Sequence, residues 1–114
     1  LASSAASDVY KRQHEGVRRV VKEFNRDGKY IGAICAAPTI LGNLGLLKGK
    51  RVSCYPSVEQ EIQGAVMTRT DVTVDGNLIT SRGAGTAIAF ALKLIEMLSG
   101  AEKAAEIAEA ILYE

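Results

Sequence analysis

Among the residues able to act as nucleophiles, acids or metal ligands, Cys35 has the most telling neighbours. It lies in Tyr30-Ile31-Gly32-Ala33-Ile34-Cys35-Ala36-Ala37-Pro38-Thr39, an apolar run that passes into a proline-led segment. A strand running into Cys35 and a helix starting within three residues would set the thiol on a sharp elbow. Bulky flanks collide at such a turn, and Ala33 and Ala37 stand two before and two after the cysteine. The helix start would aim free amides and a positive dipole end at the sulfur, favouring the thiolate, its reactive form. The Ala36 amide would be placed to help hold an oxyanion. The other reading is a small apolar residue at a strand end, where cysteine is common. Spacing alone does not choose between the two.

The remaining candidates are weaker. His14 is the single histidine, so neither a metal site nor a Cys-His dyad is expected through it. Gly83 and Gly85 precede a helical stretch as phosphate-binding glycines do, but no Lys-Ser/Thr follows, so turn geometry is the better reading. Arg82 reads equally as half of an ion pair in that turn or as a solvated charge. Lys48, Lys50 and Arg51 read as a solvated loop.

The positioning elements are legible in the periodicity. Val17, Val20, Val21 and Phe24 recur at helical spacing until Asp27-Gly28, predicting an amphipathic helix over residues 14–27. Tyr30 to Ile34 suits a buried parallel strand. Pro38 can open a short helix over 39–47, loosened by Gly42 and Gly45. Arg51 to Tyr55 reads as a second strand. Ser57 and Gln60 have capping-box spacing for a short helix. Val72 and Val74, Asp75-Gly76, then Leu78 to Ser81 spell a hairpin. A long helix over 86–98 presents Ile88, Ala91, Leu92, Ile95 and Leu98, Gly100 ends it, and a last helix runs from Ala101 to Tyr113. Helices alternating with short strands argue for one α/β domain with a mostly parallel sheet. Doubly wound sheets carry about five parallel strands, so two strands and a hairpin predict a domain lacking its N-terminal strands. The stretch from Leu1 to Gln13 has no apolar period and reads as a non-native leader, leaving 14–114 as the C-terminal portion of the domain.

The chain has 114 residues, 47% of them apolar and 24% charged, with a formal net charge of +1. That balance and the absence of Trp disfavour a nucleic-acid platform. No apolar run is long enough to span a membrane. Two cysteines are too few for a disulfide scaffold, which makes a reducing, cytoplasmic setting the default.

Ala33-Ile34-Cys35-Ala36-Ala37-Pro38-Thr39 resembles the elbow of the ThiJ/PfpI superfamily, in its DJ-one branch. Thr80-Ser81-Arg82-Gly83-Ala84-Gly85-Thr86 resembles that branch's second signature, in the family's order. The resemblance covers about residues 14–114. It implies a flavodoxin-like, class I glutamine amidotransferase-like three-layer α/β domain, a homodimer without cofactor or metal, and Cys35 as nucleophile with the Ala36 amide beside it. Implied activities are a cofactor-independent glyoxalase or deglycase, acting on small 2-oxoaldehydes or on glycated proteins or nucleotides. The alternatives are an oxidative-stress sensor or chaperone without turnover, or an inactive fragment. Some members carry inherited labels for thiazole monophosphate biosynthesis.

Three departures bear on the site. The family's supporting glutamate comes from the first strand of the domain, and Glu15, the nearest upstream acid, belongs to an exposed helix face. Tyr55 stands where many members have histidine, so a general base is lost. Ala84 replaces a proline. In this fold Cys54 follows a strand expected beside that of Cys35. It reads as a half-buried spectator thiol rather than as a resolving partner on oxidation.

Overall fold

The apolar run after Lys29 forms β1 (Ile31–Ile34), and its partner is the second arm of the hairpin signalled by Asp75-Gly76. There β4 (Val72–Asp75) turns through Gly76, at φ +62°, into β5 (Leu78–Ser81). The left-handed backbone of that turn costs glycine little. β5 pairs antiparallel with β4 and parallel with β1, Ile34 opposite Ser81, so the sheet order is β1-β5-β4. All four β5 residues are buried, as a strand covered on both faces must be. The structure is a computed structural model that describes residues 14–114, so the leader expected over 1–13 lies outside the described residues.

Alternate residues of β1 supply two cores on opposite faces of the sheet. Ala33 joins Val21 of α1 (Glu15–Arg26), Ile40 and Leu41 of α2 (Pro38–Asn43), and Leu47. Ile34 joins Ile79 and Phe90, with Leu94 and Met97 of α3 (Ala87–Ser99) packed against them. The sheet is therefore the middle layer of three. At Gly32 the α3 layer comes so near that a Cβ would lie 3.1 Å from Phe90 Cζ and 3.2 Å from Leu94 Cδ2. Gly32→Ala is expected to cost about 1–3 kcal/mol by overpacking, read as a lower urea midpoint at unchanged slope.

Several elements depart from expectation. α2 has six residues instead of nine, and Gly45, at φ +73°, lies in the turn that follows. The strand expected over 51–55 shrinks to β2 (Arg51–Val52), because the next residues bond sideways to other elements. β2 pairs parallel with β3 (Val66–Met67), which is too short to leave a periodic signal. Arg51 also ties β2 to the hairpin: its amide donates to Asp75 Oδ2 and its guanidinium to the Val74 carbonyl, both at 2.8 Å. The Ser57–Gln60 capping box does not form. A 3-10 turn over Pro56–Glu61 starts on the proline instead, with no side-chain cap.

The largest correction concerns α3. Its inward residues are Phe90, Leu94 and Met97, while Ile88 and Leu98 of the expected face are exposed. The helix is apolar nearly all round, so its period does not choose a face. α4 (Ala101–Ala110) packs on α3 and ends before Tyr113, with Leu112 left-handed at φ +62° and the Tyr113 amide donating to the Ala108 carbonyl at 2.9 Å. On α1, Val21 is buried and Val17 packs beside it, but Val20 and Phe24 remain exposed, the Lys29 ammonium lying over the Phe24 ring.

Candidate functional site

β1 ends directly at Cys35, whose φ is +65°. A side chain in the left-handed region carries a steric cost of order 1–3 kcal/mol and persists only where its surroundings impose it. They do so here from two sides. The Cys35 amide donates to the Ser81 carbonyl at 3.0 Å, and the Cys35 carbonyl accepts from the Tyr55 amide at 2.8 Å. Ala37, two residues on, is almost wholly buried, so the tight flank expected of an elbow is present. Pro38 opens α2 within three residues, as expected.

The amides around the sulfur are not equivalent. The Ala37 amide is used, donating to the Ile34 carbonyl at 3.1 Å. The Ala36 carbonyl accepts from both the Thr39 hydroxyl, at 2.7 Å, and the Thr39 amide, at 3.1 Å. The Ala36 amide has no acceptor among the described residues. The Cys35–Ala36 peptide is trans, so pinning its carbonyl to Tyr55 directs the Ala36 N–H to the other side. With only six residues, α2 has little dipole to offer, and the Ala36 amide is the donor left open beside Cys35 among the described residues.

A second layer holds those partners. The Ser53 amide donates to Thr80 Oγ1 at 2.9 Å and the Ser53 hydroxyl to the Thr80 carbonyl at 3.0 Å, all buried. This fixes the segment that carries Tyr55. The Tyr55 side chain is about half exposed, and its ring lies against Gly83, 3.6 Å from where a Cβ would stand. The Gly83 amide donates to Thr86 Oγ1 at 3.1 Å, and Thr86 Oγ1 lies 2.6 Å from the Ser81 hydroxyl, which also reaches the Asp71 carbonyl. Ala84 is exposed at the start of the 3-10 turn Ala84–Thr86 that leads into α3.

Cys54 is placed differently from the sequence reading. Its strand neighbour is not β1, which pairs with β5; the contact with Cys35 comes through the next residue's amide. It is fully buried rather than half-buried and belongs to the core beneath α1 and α2, whereas Cys35 packs against the α3 core. The two cysteines therefore face different cores. Cys54 Sγ lies 4.0 Å from Met67 Sδ. Burial pushes the Cys54 thiol from its ordinary 9.0 up to about 11, Glu59 and Cys35 adding to the rise and Arg82 opposing it. Because the folded value is the raised one, the stabilisation is complete below about pH 9 and is lost as pH climbs through about 11. Over that window Cys54→Ala is expected to flatten the fall in stability by on the order of 2 kcal/mol, measured as urea midpoints at pH 8 and 11.

His14 caps α1, its Nδ1 accepting from the Val17 amide at 3.3 Å, and Glu15 is exposed in the first turn. Among the described residues no group of three or more His, Cys, Asp or Glu is gathered to hold a metal, and no helix is long and apolar enough to cross a membrane. Sequence reasoning missed Thr39, Ser53, Thr80 and Thr86 as supports of the elbow. For Thr86 the signal was its spacing three residues after Gly83; for the others hydroxyls on buried segments carry no periodic mark.

A family model described as the DJ-1/PfpI family matches residues 6–97. The chain is 43% identical over 112 residues to Protein dj-1beta of Drosophila melanogaster, covering 96% of this chain and 54% of that protein. It is 38% identical over 89 residues to Glutathione-independent glyoxalase DJR-1.2 of Caenorhabditis elegans, covering 76% and 47%. The crystal structure of Drosophila melanogaster DJ-1beta superposes with a TM-score of 0.94 at 37% identity, covering all of this chain and 62% of that one. The chain spans about half the length of these curated relatives. The flavodoxin-like architecture expected from the sequence is the one these structures share.

Proposed function

This chain belongs to the DJ-1/PfpI family, and on that premise we propose that Cys35 adds to the aldehyde carbon of small 2-oxoaldehydes or of the adducts they leave on proteins and nucleotides. This addition opens a cofactor-independent glyoxalase or deglycase reaction, proposed for the protein at the length of its relatives. The carrying observation is the left-handed Cys35 at a strand-to-helix elbow, beside an Ala36 amide with no acceptor among the described residues. Sulfur forms the C–S bond, the carbonyl π pair moves to oxygen, and that oxygen takes the thiol's proton, giving a hemithioacetal. The Ala36 amide is the donor available to the developing oxyanion. Isomerisation onward to a hydroxy acid needs a proton carrier. Tyr55 stands where the resemblance implies a histidine in many family members, so that role falls to the glutamate the resemblance assigns to the domain's first strand. The name of the nematode relative, a glutathione-independent glyoxalase, supports this reading. A homodimer in the cytoplasm belongs to the same proposal.

Methylglyoxal should yield lactate with a protein of the relatives' length. Lactate formation unchanged by Cys35→Ala would sink the proposal. A second reading rests on the same amide, which would equally hold a sulfinate oxygen on Cys35 and so favour an oxidation sensor without turnover. Peroxide titration separates them: a sensor oxidises at Cys35 well below the peroxide level that oxidises a free thiol.

A further inference from the structure

Ala36 carries the open amide, and the peptide planes on its two sides are held by different residues. The Cys35–Ala36 plane is held at its carbonyl, by the Tyr55 amide at 2.8 Å. The Ala36–Ala37 plane is held at both ends. Its amide donates to the Ile34 carbonyl at 3.1 Å, and its carbonyl receives the Thr39 hydroxyl at 2.7 Å and the Thr39 amide at 3.1 Å. Pro38 stands between and has no N–H to offer. Only two soft torsions separate neighbouring planes, so planes fixed on both sides fix the direction of the Ala36 N–H. Thr39 is 3% exposed, and the branch at its Cβ restricts χ1. Inside helices threonine hydroxyls bond back to carbonyls three or four residues earlier, where the bond aims nothing. Here the accepting carbonyl lies before α2, on the residue whose amide is open. Cys35 and Ala36 are both partly exposed.

We propose that Thr39 is a positioning residue for the Cys35 reaction, its hydroxyl aiming the Ala36 N–H at the oxygen of the aldehyde under attack. This rests on the reading of Cys35 as nucleophile. In the hemithioacetal step sulfur forms the C–S bond, the carbonyl π pair moves to oxygen, and that oxygen takes up the proton the thiol gave up. Negative charge gathers on oxygen as the C–S bond forms, so a donor aimed there lowers this barrier. Alkylation by iodoacetamide instead breaks a C–I bond and expels iodide, and no carbonyl oxygen takes up the displaced pair. A residue that aims an oxyanion donor therefore matters to the aldehyde and not to the alkylating agent.

The test compares the rates at which methylglyoxal and iodoacetamide consume the Cys35 thiolate, followed as loss of its ultraviolet absorbance in stopped flow, with Cys35→Ala as the blank. Both reactions run at a pH where iodoacetamide labelling has levelled off, so that differences in thiolate fraction cancel. Thr39→Val keeps the shape and removes the hydroxyl, and the amide of residue 39 still serves the Ala36 carbonyl, so no buried acceptor is orphaned. It is expected to slow methylglyoxal addition about tenfold and to leave iodoacetamide labelling within a factor of about two. Thr39→Ser keeps the donor and should recover most of the loss. Equal slowing of both reagents makes Thr39 a support of the fold alone and overturns the proposal, as does an unchanged methylglyoxal rate. If Thr39→Val fails to fold, Thr39→Ala removes the same hydroxyl and must lower the same ratio of rates; an unchanged ratio there overturns the proposal equally. If methylglyoxal leaves the thiolate of the unaltered chain intact while iodoacetamide consumes it, the nucleophile reading falls and this proposal falls with it.

Discussion

Cys35→Gly is expected to give a more stable chain than Cys35→Ala, by about 1 kcal/mol, with both variants inert toward iodoacetamide at that position. The sign is the point. In a regular strand or helix glycine costs about 0.5–1 kcal/mol relative to alanine. At φ +65° the order reverses, because any Cβ meets the following carbonyl at a cost of roughly 1–2 kcal/mol. Both variants lose the thiol, so the difference between them isolates the backbone. Urea midpoints at matched slopes read it directly. Alanine as the more stable variant would mean that Cys35 is not held left-handed. The same pair separates strain from chemistry: aldehyde addition should vanish in both, whichever is the more stable.

Thr80→Val is expected to cost about 1–3 kcal/mol although it preserves shape and apolar packing. Thr80 is fully buried, and its hydroxyl is the acceptor of the buried Ser53 amide. Valine leaves that amide with no partner and no water. Thr80→Ser keeps the acceptor and should cost less. The loss should also reach the site, because Ser53 fixes the segment whose Tyr55 amide clamps the Cys35 carbonyl. Thr80→Val should therefore alter the iodoacetamide rate at Cys35 in addition to lowering the urea midpoint. A wild-type rate at normal occupancy of the fold would break this link.

The elbow was legible because its requirements are local. Small flanking residues and Pro38 are visible in the chain, and the hairpin turn is written in Asp75-Gly76. What could not be read depends on partners distant in sequence. β2 and β3 are two residues each and exist through their mutual pairing and the bonds from Arg51 to the hairpin. The inward face of α3 is chosen by the closeness of Gly32 to Phe90 and Leu94, not by the helix's own pattern. The separation of Cys35 and Cys54 into different cores follows from β5, and not β2, lying beside β1. Arg82 was equally open to pairing and solvation in the sequence, and the structure buries its Nε without a hydrogen-bond partner among the described residues.

The parallel pairing of β1 with β5 has a kinetic consequence. The β4–β5 hairpin closes through a local turn, an event of about 1–10 μs, whereas β1 must return from far along the chain. Both clamps on Cys35, from Ser81 and Tyr55, join residues remote in sequence. During refolding Cys35 should therefore behave first as an ordinary thiol and acquire its native reactivity only as the long-range pairing closes. Pulsed thiol labelling in stopped flow would time that event against the return of secondary structure.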